Sequence, residues 1–211
     1  MNPAQKIYIF HFSCVWVATN NDNMLHTVDC RTGNVVADFK VCVGSVGLVK
    51  CICGMRDGNT INIGHSTGFI SQLDIRTGKL RQSWKGHEGE IITLNPLSSS
   101  EFISTSLDQT VSVWSNPEGK FKCSLPVATD TGPIHCLCVN GDEIIMGSAV
   151  NRITVRKRPW NNQQGDMDNS SYNTNKLKGD ILKSNLTAMK LLPMNKLLLL
   201  GQENGNIRLI C

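Results

Sequence analysis

Short apolar runs separated by polar turns make up most of this chain, and their lengths suit strands better than helices. Residues 91–94, 102–107 and 111–114 are examples, rich in β-branched and aromatic side chains and bounded by Gly, Pro, Ser or Asp. The same pattern predicts strands over residues 14–19, 24–28 and 35–41, then 49–53, 60–64, 69–73 and 80–84. Further runs cover 134–139, 143–148 and 152–156, and a last group covers 186–192, 196–201 and 206–210. Pro193 stands in the middle of the apolar residues 186–200 and rules against one helix there, because its ring removes a helical hydrogen bond.

These runs repeat. Asp22, Thr67, Asp108, Val150 and Asn204 occupy matching places at intervals of 45, 41, 42 and 54 residues. A period of about 40–45 residues with four short strands is that of a propeller blade. The long last interval falls on residues 161–180, a polar stretch of Asn, Gln and Ser that reads as a flexible loop because it cannot bury enough surface to offset its ordering entropy. Two turns, Asp29-Cys-Arg-Thr-Gly33 and Asp74-Ile-Arg-Thr-Gly78, stand 45 residues apart between apolar runs. Each ends in a Gly suited to the positive φ of a tight hairpin, and neither implies catalysis.

One repeat carries a full polar set. Gly86-His87 precedes its first strand, and Ser104, Asp108 and Trp114 follow in the second strand, turn and third strand. That spacing is the signature of a WD-repeat blade, in which Asp, His, Ser and Trp join in a structural hydrogen-bonded chain. The fold expected is all-β, a WD-repeat β-propeller spanning residues 1–211 with about four to five blades. At most 19 strands can be placed, fewer than a closed ring of five or more four-stranded blades requires. The expectation is therefore the C-terminal part of a larger, seven-bladed propeller, and an isolated chain that is poorly soluble or self-associating.

Composition narrows the chemistry. A 40% apolar and 18% charged content is globular, and a net charge of +4 gives no case for nucleic acid. Nine cysteines, an odd number at irregular spacing, read as reduced thiols in the cytosol. Cys51-x-Cys53 and Cys136-x-Cys138 read as core residues, since zinc pairs generally have two to four residues between them. No metal and no cofactor are expected. Residues 7–18 faintly resemble a signal peptide, but His11 and Ser13 interrupt them and two strands fit better. No run approaches the roughly 18 apolar residues of a spanning helix. Asn169 and Asn185 sit in glycosylation patterns that a cytosolic chain would leave unmodified. His87, Ser104 and Asp108 superficially suggest a nucleophilic triad, yet in a blade they are tied to Trp114 with no cleft, so no enzyme is expected. Arg156 to Trp160 could meet anionic lipid headgroups, and read more simply as a solvated strand end.

A set of segments carries a closer resemblance. Ile63-Gly-His-Ser-Thr-Gly68, Leu73-Asp-x-Arg-Thr-Gly78, Trp84-x-x-His-Glu-Gly89, the Asp108 to Trp114 run, Pro133-Ile-His135, Leu199-Leu-Gly201 and Asn204-Gly-x-Ile-Arg-Leu209 together resemble the C-terminal propeller of the BEACH-domain WD-repeat family. The likeness covers about residues 48–211 and includes no BEACH domain. The resemblance implies a scaffold at the cytosolic face of endosomes, in peripheral association with their membrane. It implies action with another WD-repeat protein to restrain class III phosphatidylinositol 3-kinase complexes, promoting early-to-late endosome conversion, and a link to autophagy. A generic WD-repeat adaptor subunit and a phosphoinositide-binding propeller are the alternatives, though the Phe-Arg-Arg-Gly type of lipid motif is absent. The candidate partner-binding residues are those expected in loops on one face: Asn20, Asn21, His65, Ser66, Leu107, Gln109, Asn151 and Glu203. Gly64-His65 falls at the end of a second strand, not before a first one, so it cannot take the part of His87, and His65 reads as a loop residue whose polar groups are satisfied.

Overall fold

A computed structural model describes residues 6–10, 14–18, 24–41, 45–125, 127, 132–150, 152–157, 184–192 and 197–210. Residues 161–180, read from sequence as a loop, lie outside the described residues, as do Asn20, Asn21 and Asn151. The chain divides into two compact units, Met1–Ser124 and Leu125–Cys211.

Every regular element among the described residues is a β-strand, and each sheet is an antiparallel meander. The first sheet contains β1 (Lys6–Phe10), β2 (Cys14–Ala18), β3 (Met24–Asp29) and β4 (Val35–Lys40). The second contains β5 (Val49–Gly54), β6 (Thr60–His65), β7 (Phe69–Asp74) and β8 (Lys79–Lys85). In the third are β9 (Ile91–Pro96), β10 (Glu101–Ser106), β11 (Val111–Ser115) and β12 (Phe121–Leu125). The second unit holds β13 (Ile134–Asn140), β14 (Glu143–Ser148) and β15 (Ile153–Lys157), then β16 (Leu186–Leu191), β17 (Leu198–Gln202) and β18 (Ile207–Ile210). These are blades of a WD-repeat β-propeller. The inner strand opens each one, and the inner strands of successive blades lie side by side: β1, β5 and β9 in the first unit, β13 and β16 in the second.

Burial explains why the strands read as nearly continuous apolar runs. A strand sandwiched between blades is covered on both faces, so every residue of β6 is buried. The outer strand β8 alternates between exposed and half-buried positions, as a strand with one wet face should. Leu25 and Val41 pack on Val49, Ile52, Ile61, Ile63 and Leu73 to join the first two blades. On the other face of the second blade, Cys51, Cys53, Met55 and Ile70 meet Ile91, Leu94, Phe102 and Trp114 of the third. In the second unit Cys136, Cys138, Ile145 and Ile153 pack with Leu186 and Leu200. Each fully buried aliphatic side chain contributes about 1.5–3 kcal/mol, so these seams hold the blades together. Both Cys-x-Cys pairs lie within them as small hydrophobes.

Two features are invisible in the sequence pattern. The pairing of the inner strand with the second strand slips between Val49 and Cys51, between Ile134 and Cys136, and between Leu186 and Ala188. In the third blade the slip falls between Thr105 and Ser106, which face Thr93 and Ile91. The extra residue in each bulge lets Val49 and Ile52, an odd number of residues apart, share one core.

The second feature is a polar clamp between the second and third blades. Asn116 Nδ2 donates to Asp57 Oδ2 at 3.2 Å and to the Ser99 carbonyl at 3.4 Å, while Asn116 Oδ1 accepts from Gln72 Nε2 at 3.2 Å. Gln82 Nε2 extends it, donating to Gln72 Oε1 at 2.6 Å and to the Pro117 carbonyl at 2.7 Å. Burial works to raise the Asp57 pKa, but hydrogen bonds from Asn59, Thr60 and Asn116 outweigh it and hold the carboxyl below its usual range.

The paired turns behave alike. Asp29 Oδ1 accepts the Arg31 N–H at 2.8 Å and Asp74 Oδ1 accepts the Arg76 N–H at 2.9 Å. Gly33 and Gly78 take φ values of +71° and +67° to close them.

Candidate functional site

Gly86-His87 is positioned by the turn of the preceding blade. The Gly68 carbonyl accepts the N–H of Gly86 at 3.0 Å and of His87 at 3.1 Å. Gly68 has φ +82°, and a Cβ there would stand 2.0 Å from the His87 carbonyl oxygen, so only glycine fits. From this loop the His87 ring enters the third blade. Its Nε2 lies 2.6 Å from Ser104 Oγ, and its Nδ1 lies 2.7 Å from Thr110 Oγ1 and 3.2 Å from Asp108 Oδ2.

Donor and acceptor roles follow from the ends of this chain. Trp114 Nε1–H can only donate, and it reaches Ser104 Oγ at 2.7 Å. The ionised Asp108 can only accept, and its Oδ1 takes the Thr110 hydroxyl at 2.6 Å and the Thr110 N–H at 2.9 Å. The assignment that satisfies every group puts the proton on Nδ1, with Nε2 accepting from Ser104. Protons then point one way, from Trp114 through Ser104, His87 and Thr110 to Asp108. Asp108 Oδ2 also accepts the Glu88 N–H at 3.0 Å, which ties the turn back to the His87 loop.

Burial lowers the His87 pKa, although the Asp108 charge and hydrogen bond pull the other way. Burial works to raise Asp108, but the Thr110 side-chain and backbone hydrogen bonds, the His87 charge and the Glu88 N–H outweigh it and keep the carboxyl below its usual range.

The tetrad residues His87, Ser104, Asp108 and Trp114 are thus one network. Ser104 is 0% exposed and its oxygen already serves Trp114, so the hydroxyl has no face open to a substrate. The arrangement can stiffen a blade. Thr110 is a further member that the sequence reading missed, and its place two residues after Asp108 was the available signal.

The candidate surface residues separate. Leu107 and Gln109 stand exposed on the β10–β11 turn, Gln109 with φ +66°, and Leu107 N–H bonds the Glu90 carbonyl at 2.9 Å. Ser66 is half-buried and its Oγ accepts the Leu48 N–H at 3.0 Å. Glu203 is exposed on the β17–β18 turn and accepts from Asn185 Nδ2 at 2.9 Å.

His65 corrects the sequence reading. It is the last residue of β6 rather than a loop residue, and it is fully buried. Its Nε2 lies 2.9 Å from Ser71 Oγ, which lies 2.9 Å from Ser83 Oγ, so three strands of the second blade share a second polar chain. Strand pairing continues through His65 opposite Val49, and this turns the ring inward toward Ser71. Burial pushes its pKa down to about 4, against a hydrogen bond with the Gly47 backbone. A residue so enclosed cannot present itself to a partner.

Among the described residues no group of three or more His, Cys, Asp or Glu side chains is placed to hold a metal ion. No described helix is long and apolar enough to cross a membrane.

Comparison with known proteins gives a consistent picture. No family model matches the chain. WD repeat-containing protein 81 from Danio rerio is 34% identical over 93% of this chain, and the human protein of the same name is 33% identical over 90%. Suppressor of organelle fusion 2 from Caenorhabditis elegans is 24% identical over 87% of the chain. The chain spans about 9% of the length of the first two relatives and 12% of the third. Among solved structures, the computationally designed Ika4 protein aligns with a TM-score of 0.58, covering 79% of this chain and 92% of that one. At 21% identity this likeness concerns the fold alone.

Proposed function

We propose that this chain, a WD-repeat chain related over most of its length to WD repeat-containing protein 81, serves as a non-catalytic protein-interaction scaffold in endosomal maturation. The observation that carries this reading is that, among the described residues, the constellation His87, Ser104 and Asp108, which resembles a catalytic set, is buried and fully spent on holding its blade. What remains for function is a rigid frame with exposed turns, of which Leu107, Gln109 and Glu203 are the foremost contacts. The finer reading places the chain at the cytosolic face of endosomes, acting with another WD-repeat protein to restrain class III phosphatidylinositol 3-kinase complexes. The similarity to WD repeat-containing protein 81 supports it, as does a relative whose name refers to organelle fusion.

The test is capture of class III phosphatidylinositol 3-kinase subunits by the tagged chain, with endosomal phosphatidylinositol 3-phosphate measured when the chain is depleted. The expected result is capture that the Leu107→Ala/Gln109→Ala pair reduces several-fold without changing the melting temperature, and a rise in the lipid. Failure to capture any subunit, with lipid unchanged, overturns the endosomal reading. Flotation of the chain with liposomes only when they contain phosphatidylinositol 3-phosphate would instead favour direct lipid binding.

A further inference from the structure

One position of the second blade breaks a rule that its neighbours keep. The fourth residue from the end of the second strand is apolar in three blades, and so is its partner on the third strand: Ile103 pairs with Val113, Ile145 with Val155 and Leu199 with Leu209. In the second blade the same pair is Asn62 of β6 and Gln72 of β7. Both are 0% exposed, so two amides stand where aliphatic side chains would serve.

Gln72 is accounted for in large part by the polar clamp. Its Nε2 donates to Asn116 Oδ1 and its Oε1 accepts from Gln82 Nε2, which leaves one hydrogen and one lone pair uncommitted. Asn62 is different. Among the described residues neither its Nδ2 nor its Oδ1 has a hydrogen-bond partner.

The surroundings supply none. On the inner strand Asn62 pairs with Cys53, which lies in the core shared with Ile91, Leu94, Phe102 and Trp114 of the third blade. Four of these five are hydrophobes without a strong donor or acceptor, Cys53 among them, and the Trp114 N–H is already given to Ser104. Cys53 Sγ makes only a 3.7 Å contact with the Gly54 carbonyl, and burial pushes its thiol up, so it stays neutral.

An amide keeps its demand for hydrogen bonds when it is buried, and leaving it unpaired is costly. Internal waters meet such demands, typically through about three hydrogen bonds to polar groups that the protein leaves unpaired. Side chains directly opposite each other on paired strands start about 4.5–5.5 Å apart at Cβ, so the free hydrogen and lone pair of Gln72 are within one water's reach of Asn62. Asn62, Gln72 and Cys53 are all neutral, which suits water and gives an ion no counter-charge.

We propose that Asn62 holds at least one internal water in the seam between the second and third blades, bridging its amide to that of Gln72. The water extends the clamp into β6, so that one polar network runs from Asn62 through Gln72 to Asn116 and Asp57.

Oxygen-17 magnetic relaxation dispersion on the full chain tests this, because it counts waters held inside a protein for longer than nanoseconds. Asn62→Leu keeps the side chain's shape and removes both polar atoms. The expected result is a dispersion smaller by at least one long-lived water in the variant, with native circular dichroism. An unchanged dispersion in the folded variant overturns the proposal. A crystal structure of the wild type gives a second readout that holds even where the variant does not fold. A water about 2.7–3.2 Å from the amides of both Asn62 and Gln72 is expected there. An Asn62 amide bonded directly to protein, with no water beside it, overturns the proposal as well.

Discussion

Removing one hydroxyl from the third blade should show how much its polar chain contributes. Ser104 Oγ is shared by the Trp114 N–H at 2.7 Å and His87 Nε2 at 2.6 Å, and all three residues are buried. In Ser104→Ala both partners lose their bond and no water reaches them. An unsatisfied buried polar group costs about 1–2 kcal/mol here, so two give a destabilisation of about 2–4 kcal/mol. That is a large part of the roughly 5–15 kcal/mol by which domains are stable. Urea unfolding followed by far-ultraviolet circular dichroism measures it without relying on Trp114 fluorescence. A double-mutant cycle isolates the contact: in a Trp114→Phe background the indole N–H is already gone, so Ser104→Ala should cost about 1–2 kcal/mol less. A Ser104→Ala change within about 0.5 kcal/mol of wild type, the size of an ordinary surface substitution, would refute the structural role given to this chain. So would strict additivity in the cycle.

Two further outcomes follow from buried groups and backbone geometry. His65 takes up a proton near pH 6.5 when unfolded but only near pH 4 when folded, so protonation favours the unfolded chain. Stability from this residue should be complete above about pH 6.5 and should fall by on the order of 3 kcal/mol as the pH drops to about 4. His87 acts in the same direction, and urea midpoints at stepped pH should show a shallower decline in His65→Gln. At Gly68 alanine should prevent folding, since its Cβ would collide with the His87 carbonyl, whereas Gly58→Ala, at φ +70° with open space around it, should cost only about 1 kcal/mol. Thermal melts of the two variants compare them directly.

Much of the fold was legible because its determinants are local. Strand positions follow from apolar runs of the right length, turns from glycines at positive φ, and the repeat from the distance between equivalent turns. The tetrad could be named from spacing alone, since its four members lie within one blade and pair through neighbouring strands. Where strand pairing or the packing of another blade sets a residue's surroundings, sequence has no vote. His65 seemed a loop residue because Gly64-His65-Ser66-Thr67 reads as a turn, and only the pairing of His65 with Val49 carries β6 through it and turns the ring to Ser71. Asn116 gives no sign of Asp57, 59 residues earlier, until two blades are set face to face. A glycine inside a strand likewise looks like any strand defect until a neighbouring side chain occupies its space, as Ile91 does at Gly64 and Leu186 at Gly147. Alternation of side chains dictates that sheets form, while the packing of one sheet on the next decides which polar groups are buried and which glycines are indispensable.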